Sequence, residues 1–336
     1  MASKAPVAAS LRLLNTIPET HVFTIRADGF FNLAADSLRF FLWARQYRID
    51  TVIDLELFSR YSALLTGLSG AGKRIGFHAF YNEGLYRGNL LTHRVAYNPH
   101  IHIARNFIAL VNTALADREE LPFSKTLIAD NEIRLARAEV NESAITTMRE
   151  RIRNEFPYYD EQRHRIVLIN PNASDLLPQR RWMPDYFVAV IRGLLAEYKD
   201  LLVLITGAPA EREEAEILKQ QVGNERCVNF AGRQQLEELP ALYSIAEIML
   251  TNDSGPGHFS AVTNLRTFVI FGPETPYLYG SLGNSTPIYA GLACSPCVSA
   301  ANHRKTPCTD NVCLKVIKPE VVLEQLRDAL KKRRSV

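Results

Sequence analysis

Apolar and polar positions along this chain follow two periods that take turns. Short apolar runs over 21–25, 51–55 and 74–77 read as strands, and residues 33–46 and 61–68 between them carry the 3.6-residue spacing of amphipathic helices. A further helix is predicted over 100–116, then a long polar helical stretch over 130–156. The run Pro157-Tyr158-Tyr159-Asp160-Glu161-Gln162 after it reads as a linker. The alternation then restarts, with strands over 165–170, 201–206, 227–230, 248–250 and 267–271 and helices over 184–198, 210–221 and 236–244. Strands alternating with helices imply parallel sheets, so the fold class is α/β with two Rossmann-like doubly wound domains. The division falls at residues 1–160 and 161–336, the second domain closing with a cysteine-containing loop and a C-terminal helix. Such sheets bind ligands outside the carboxyl ends of their strands.

The candidate chemistry gathers at one of those ends. Thr251-Asn252-Asp253-Ser254-Gly255-Pro256-Gly257-His258 follows the apolar run at 245–250 and precedes a helix-like run. A helix starting there aims backbone N–H groups at the gap after the strand, which suits a phosphate. Gly255 and Gly257 admit close approach of a ligand to the main chain, Pro256 tolerates a first-turn position, and His258 can donate to an anion. The plain alternative is a strand-to-helix turn capped by Asp253 or Ser254. A second glycine-rich stretch is a decoy. Gly67-Leu68-Ser69-Gly70-Ala71-Gly72-Lys73-Arg74 nearly spells a P-loop, but Arg74 stands where a hydroxyl would hold magnesium. There a helix precedes and a strand follows, the reverse of a nucleotide-binding P-loop.

Composition narrows the class. A chain of 336 residues exceeds what one core usually supports, and 47% hydrophobic with 22% charged residues describes an ordinary globular protein. A net charge of +3 does not point to nucleic acid, and no apolar run approaches the roughly 20 residues of a membrane span. The N-terminus lacks a signal-peptide core, so a cytoplasmic location is expected. The Lys331-Lys332-Arg333-Arg334 tail reads as a solvated helix end that can also touch anionic lipid, which leaves room for peripheral contact at the inner face of a membrane. No strand is followed by Gly-x-Gly-x-x-Gly, which disfavours an NAD-dependent oxidoreductase.

Four segments then carry a resemblance. Asn170-Pro171-Asn172 with Arg180-Arg181-Trp182-Met183-Pro184, Thr206-Gly207-Ala208-Pro209-Ala210-Glu211, Phe230-Ala231-Gly232, and Asp253-Ser254-Gly255-Pro256-Gly257-His258 with Phe271-Gly272-Pro273 stand in the order seen in the heptosyltransferases of lipopolysaccharide synthesis. The chain thus resembles glycosyltransferase family 9, whose fold is of the GT-B type. The first half is similar to the family's acceptor domain at 49–55 and from Ala63-Leu64-Leu65 to Arg74-Ile75-Gly76-Phe77. The resemblance implies transfer of a sugar, heptose from ADP-heptose, to a lipopolysaccharide core or related glycolipid, inverting and without metal. It implies a diphosphate held by Ser254, Gly255 and His258 with a basic residue, Arg180 or Arg181, and a ribose contacted by Glu211. Asp253 organises the turn, since no second acid stands at the spacing of a metal-binding pair. No cofactor is implied; the nucleotide-sugar is a substrate.

Two features depart from that pattern. The family opens with a buried strand and a Gly-rich turn bearing an acid, the candidate base; residues 1–20 carry neither, so the first domain is expected to lack its first strand. Asp28, Asp54 and Glu56 are stand-ins, each more readily read as structural, and the catalytic residue stays open. A protein that binds nucleotide-sugar with little or no transfer is the alternative. Cys294, Cys297, Cys308 and Cys313, with His303 nearby, could hold zinc, but the last pair is five positions apart. Reduced loop cysteines are the default reading.

Overall fold

The computed structural model describes residues 1–14, 16–57, 59–80, 87–117, 120–300 and 302–332. The chain forms two compact units. The first comprises residues 1–134 with 277–279 and 298–306, the second 135–276 with 280–297 and 307–336.

In the first unit β1 (Ala2–Lys4) pairs in parallel with β2 (Phe23–Ile25), and β3 (Thr51–Asp54), β4 (Lys73–His78) and β5 (His93–Ala96) form a second parallel sheet in that order. Strand β1 corrects the expectation of a strandless start. Its Ala-Ser-Lys sequence has no apolar periodicity; Phe23 N donates to Met1 O at 2.7 Å and the pairing with β2 makes the strand. The Phe30–Gln46 helix buries Phe40 against Ile25 and Leu65, while Ile75, Phe77, Val95 and Leu110 fill a second small core. Around the P-loop decoy, the Arg60–Leu68 helix runs through a turn with Gly70 at φ +87° into β4, in the order read from the sequence. The remaining strands among the described residues lie in the second unit.

There β6 (Arg165–Asn170), β7 (Leu201–Ile205), β8 (Cys227–Asn229), β9 (Ala246–Asn252), β10 (Arg266–Phe271) and β11 (Ser285–Tyr289) make one parallel sheet in the order β11-β10-β9-β6-β7-β8. Its central strands are buried on both faces, hence continuous apolar runs such as Leu201-Leu202-Val203-Leu204-Ile205. Alternate side chains serve opposite cores. Val167, Ile169, Val203, Ile205 and Leu250 pack with the Pro184–Glu197 and Pro319–Lys332 helices, whereas Ile166, Leu168, Leu202, Leu204 and Met249 pack with the Glu142–Glu155 and Leu239–Ile245 helices. Of the basic tail, Arg333 and Arg334 lie outside the described residues. Among the described residues no helix is long and apolar enough to cross a membrane.

The helical stretch predicted over 130–156 is shorter. A 3-10 turn holds Asp130–Glu132 and the helix begins only at Glu142, where the Asn141 side chain accepts from Ala144 N at 2.8 Å. The intervening backbone is extended because it bonds elsewhere: Ala138 N donates to Val262 O at 2.9 Å, and Arg137 reaches the carbonyls of Ala261 and Thr263. The same contacts explain why the units divide between Arg134 and Leu135, where the sequence reading placed the division at 160 and a linker at 157–162. Met148, Ile152, Phe156 and Tyr159 all belong to the second unit's core.

Candidate functional site

Strand order reverses between β6 and β9: from β6 the chain builds outward through β7 and β8, then returns to β9 on the other side. That is a topological switch point, where the two flanking connections diverge and leave a crevice. A cavity of about 380 Å³ opens there, walled by Asn170 at the end of β6 and Asn172 just beyond it, Gly207 to Pro209 with Glu211 after β7, and Ser254 to Pro256 after β9. Leu236, Leu239, Tyr243 and Phe259 give it an apolar side. A cavity with an apolar side and a polar side accepts a ring system bearing hydrogen-bonding groups.

The turn after β9 is fixed from below. Asp253 N donates to Ile270 O at 3.0 Å, Ser254 is extended (φ −156°, ψ 173°), and its hydroxyl bonds Asn252 O and Thr251 Oγ1, both at 3.2 Å. No side chain caps the Gly255–Phe259 helix that follows, so neither Asp253 nor Ser254 plays the capping part. The glycines act differently from one another. A Cβ on Gly257 would stand 3.3 Å from Ser281, Thr251 and Val269, so this buried glycine serves close packing of helix on sheet. Of these two, Gly255 faces the cavity.

The two neighbouring arginines separate cleanly. Arg181 donates through Nε and Nη2 to Ala173 O at 3.0 and 2.8 Å and through Nη2 to Asp175 at 2.5 Å, which spends the guanidinium on its own loop. Arg180 makes no such bonds. Its Nη1 lies 3.7 Å from Asp253 Oδ2 and 3.8 Å from Glu274 Oε2, both carboxylates nearly buried at 2 and 3% exposure, and its Nε has no hydrogen-bond partner. Its position is set by the segment around it: Trp182 N donates to Asn252 Oδ1 at 3.0 Å, Trp182 Nε1 to Ile317 O at 3.0 Å, and Asn311 holds Gln179 O. His258 completes the cluster, half exposed, with Nε2 3.8 Å from Asp253 Oδ1 and Nδ1 3.4 Å from Ser281 Oγ. Arg180 and His258 therefore stand on either side of one buried acid beside a helix start with no side-chain cap, an arrangement of donors that can receive an anion.

Glu211 closes the opposite side. Its Oε2 accepts from Ala208 N at 2.6 Å and from Asn172 Nδ2 at 2.9 Å, and burial pushes its carboxyl above the ordinary value while the Ala208 bond opposes the shift. One oxygen caps the turn and the other is left for a ligand. A group whose folded pKa is raised stabilises the fold at low pH and loses that contribution as pH rises through the folded value. Glu211→Gln is accordingly expected to gain melting temperature relative to the unsubstituted chain between about pH 4 and about pH 7. A difference that is flat or falls over that range would contradict the burial account.

Three polar residues at the site escaped the sequence reading. Asn172 and Thr206 orient Glu211 and Asn170, and only the Asn-Pro-Asn and Thr-Gly ends of β6 and β7 hinted at them. Glu274 had no signal beyond its place after the Phe271-Gly272-Pro273 turn. The stand-in acids belong to the first unit. Asp54 is buried and committed: Oδ2 meets Arg87 Nη1 at 2.7 Å and Ser62 Oγ at 3.1 Å, and Oδ1 accepts from Glu56 N at 3.0 Å. That environment matches the structural reading of this residue. Asp28 accepts from Asn32 at 3.2 Å and, like Glu56, is exposed.

Of the clustered cysteines, Cys294 is exposed, Cys297 and Cys308 are half-buried and Cys313 is buried. Backbone N–H groups of Asn311 and Asp310 draw the Cys308 thiol down, while burial, then the nearness of Cys297, Cys308 and Cys294, pushes Cys313 up. Among the described residues no three His, Cys, Asp or Glu side chains converge as metal ligands.

Comparison with known proteins places these features. The model of glycosyltransferase family 9 (heptosyltransferase) matches residues 38–306. Lipooligosaccharide heptosyltransferase 2 of Campylobacter jejuni is 32% identical over 172 residues, 50% of this chain and 51% of that protein. Lipopolysaccharide heptosyltransferase 2 of Escherichia coli K12 is 26% identical over 107 residues, 31% of this chain and 30% of that one. The match to the Campylobacter relative thus spans about half of that protein's length. Among solved structures, ADP-heptose lipopolysaccharide heptosyltransferase II of E. coli superposes with a TM-score of 0.66 at 21% identity, covering 99% of this chain and 90% of that one. E. coli heptosyltransferase WaaC with ADP gives 0.57 at 15% identity, covering 92 and 83%. Both share the fold.

Proposed function

The chain belongs to glycosyltransferase family 9, the heptosyltransferases, and from that premise we propose that it transfers heptose from ADP-heptose to a lipopolysaccharide core or related glycolipid. The observation that carries this reading is the cluster of Arg180, His258 and the uncapped Gly255–Phe259 helix at the switch point of the second unit. These groups fit the diphosphate of a nucleotide-sugar. Glu211 has a carboxylate oxygen for the ribose hydroxyls, and the Leu236, Leu239, Tyr243 and Phe259 side suits the base.

In this scheme an acceptor hydroxyl attacks the anomeric carbon from the face opposite the diphosphate and passes its proton to a general base, the residue the sequence leaves unassigned, or through it to water. The carbon–oxygen bond to the β-phosphate breaks, configuration inverts, and negative charge collects on the departing ADP. Arg180, His258 and the backbone N–H of Gly255 donate to that charge, and on this reading no metal ion is needed. A glycolipid acceptor brings the protein to a membrane surface, which is where we place its working contact.

Incubation of the full chain with ADP-heptose and a heptose-deficient lipopolysaccharide core tests the reading. The expected result is ADP release matched by a mass gain of one heptose on the acceptor, undiminished by EDTA. Binding of the donor without transfer would support a nucleotide-sugar-binding protein instead.

A further inference from the structure

We infer that Glu274 is a positioning residue that holds Arg180 ready for the diphosphate, an inference that rests on Arg180 being the phosphate anchor. The geometry is that of an electrostatic cradle. Asp253 and Glu274, on turns after adjacent strands β9 and β10, place one carboxylate oxygen each 3.7 and 3.8 Å from the same Arg180 nitrogen. At that separation the acids attract the guanidinium strongly in a site screened from water, yet accept no hydrogen bond from that nitrogen. The charge is held without committing Nη1 to a protein hydrogen bond, which leaves that nitrogen able to donate to a phosphate oxygen.

Glu274 is itself set by the local chain. Ser295 Oγ donates to Gly272 O at 2.5 Å, Cys297 N donates to Pro273 O at 3.0 Å, and a Cβ on Gly272 would stand 2.7 Å from the buried Leu314 side chain. The turn is therefore fixed on both sides just before Glu274. A long side chain such as arginine loses much rotamer freedom when it must wait in one place, and a second buried acid restricts it further than Asp253 alone.

Calorimetric titration with ADP of the unsubstituted chain, Glu274→Gln, Arg180→Ala and the double variant tests this as a cycle. Glu274→Gln is expected to weaken ADP binding roughly fivefold in the unsubstituted chain and less than about twofold in the Arg180→Ala background. Glu274→Asp, which keeps the charge, is expected to retain more affinity than Glu274→Gln. Equal losses in both backgrounds, no loss, a gain in affinity, or equal losses for the Asp and Gln variants would each overturn the positioning role. If Arg180→Ala alone leaves affinity unchanged, the phosphate anchor itself falls, and that outcome is distinct from the others.

Discussion

Replacing Arg180 with alanine is expected to weaken ADP binding by about 1.5–3 kcal/mol, the usual worth of a hydrogen bond to a charged group, or roughly tenfold to more than a hundredfold in Kd. The size follows from the setting: the guanidinium side chain is 17% exposed, flanked by two buried carboxylates, and has a nitrogen with no partner. Arg181→Ala is the control. Its donors already serve Ala173 O and Asp175, so its loss should loosen that loop and leave diphosphate affinity within about twofold, as for most substitutions away from a charged contact. The reverse pattern would move the anchor to Arg181, and no effect from either would displace the phosphate site altogether.

The second large effect concerns stability in the first unit. Arg87→Ala leaves Asp54 buried with its main cationic partner gone, and breaking a buried ion pair from one side costs about 3–5 kcal/mol. The chain has two tryptophans, Trp43 in the first unit and Trp182 in the second, so fluorescence of Trp43 in a Trp182→Phe background reports urea unfolding of the first unit by itself. Replacing both partners, as Asp54→Asn with Arg87→Met, is expected to recover part of the loss because no uncompensated charge remains. A loss under about 1 kcal/mol for Arg87→Ala would show that the pair is solvated in solution.

The second unit was more legible in the sequence than the first, for a physical reason. Strands buried on both faces must be apolar throughout, so β6, β7, β9 and β10 stood out as runs, and the polar residues ending them marked the site. The edge strands β11 and β5 lack that signature: β11 contains Pro287, which cannot donate to a ladder, and β5 has only His93-Arg94-Val95-Ala96. At β1 pairing rather than side-chain pattern makes the strand. The extended segment before Glu142 was invisible because its bonds go to residues more than a hundred positions away. At the site, Arg180 and Arg181 are indistinguishable as letters. Only the fold shows that Arg181 turns back onto Ala173 while Arg180 waits between two acids. Glu274 was unreadable for the same reason, since its meaning lies in a neighbour 94 positions earlier.

On the proposed reading, the switch point of the second unit binds a nucleoside diphosphate through Arg180, His258 and backbone N–H groups. Calorimetric titration of the full chain with ADP in excess EDTA tests it most directly. Saturable one-site binding is expected, with an affinity that is unchanged by adding magnesium and falls in Arg180→Ala. Absence of binding in EDTA with recovery on adding a divalent cation would contradict it.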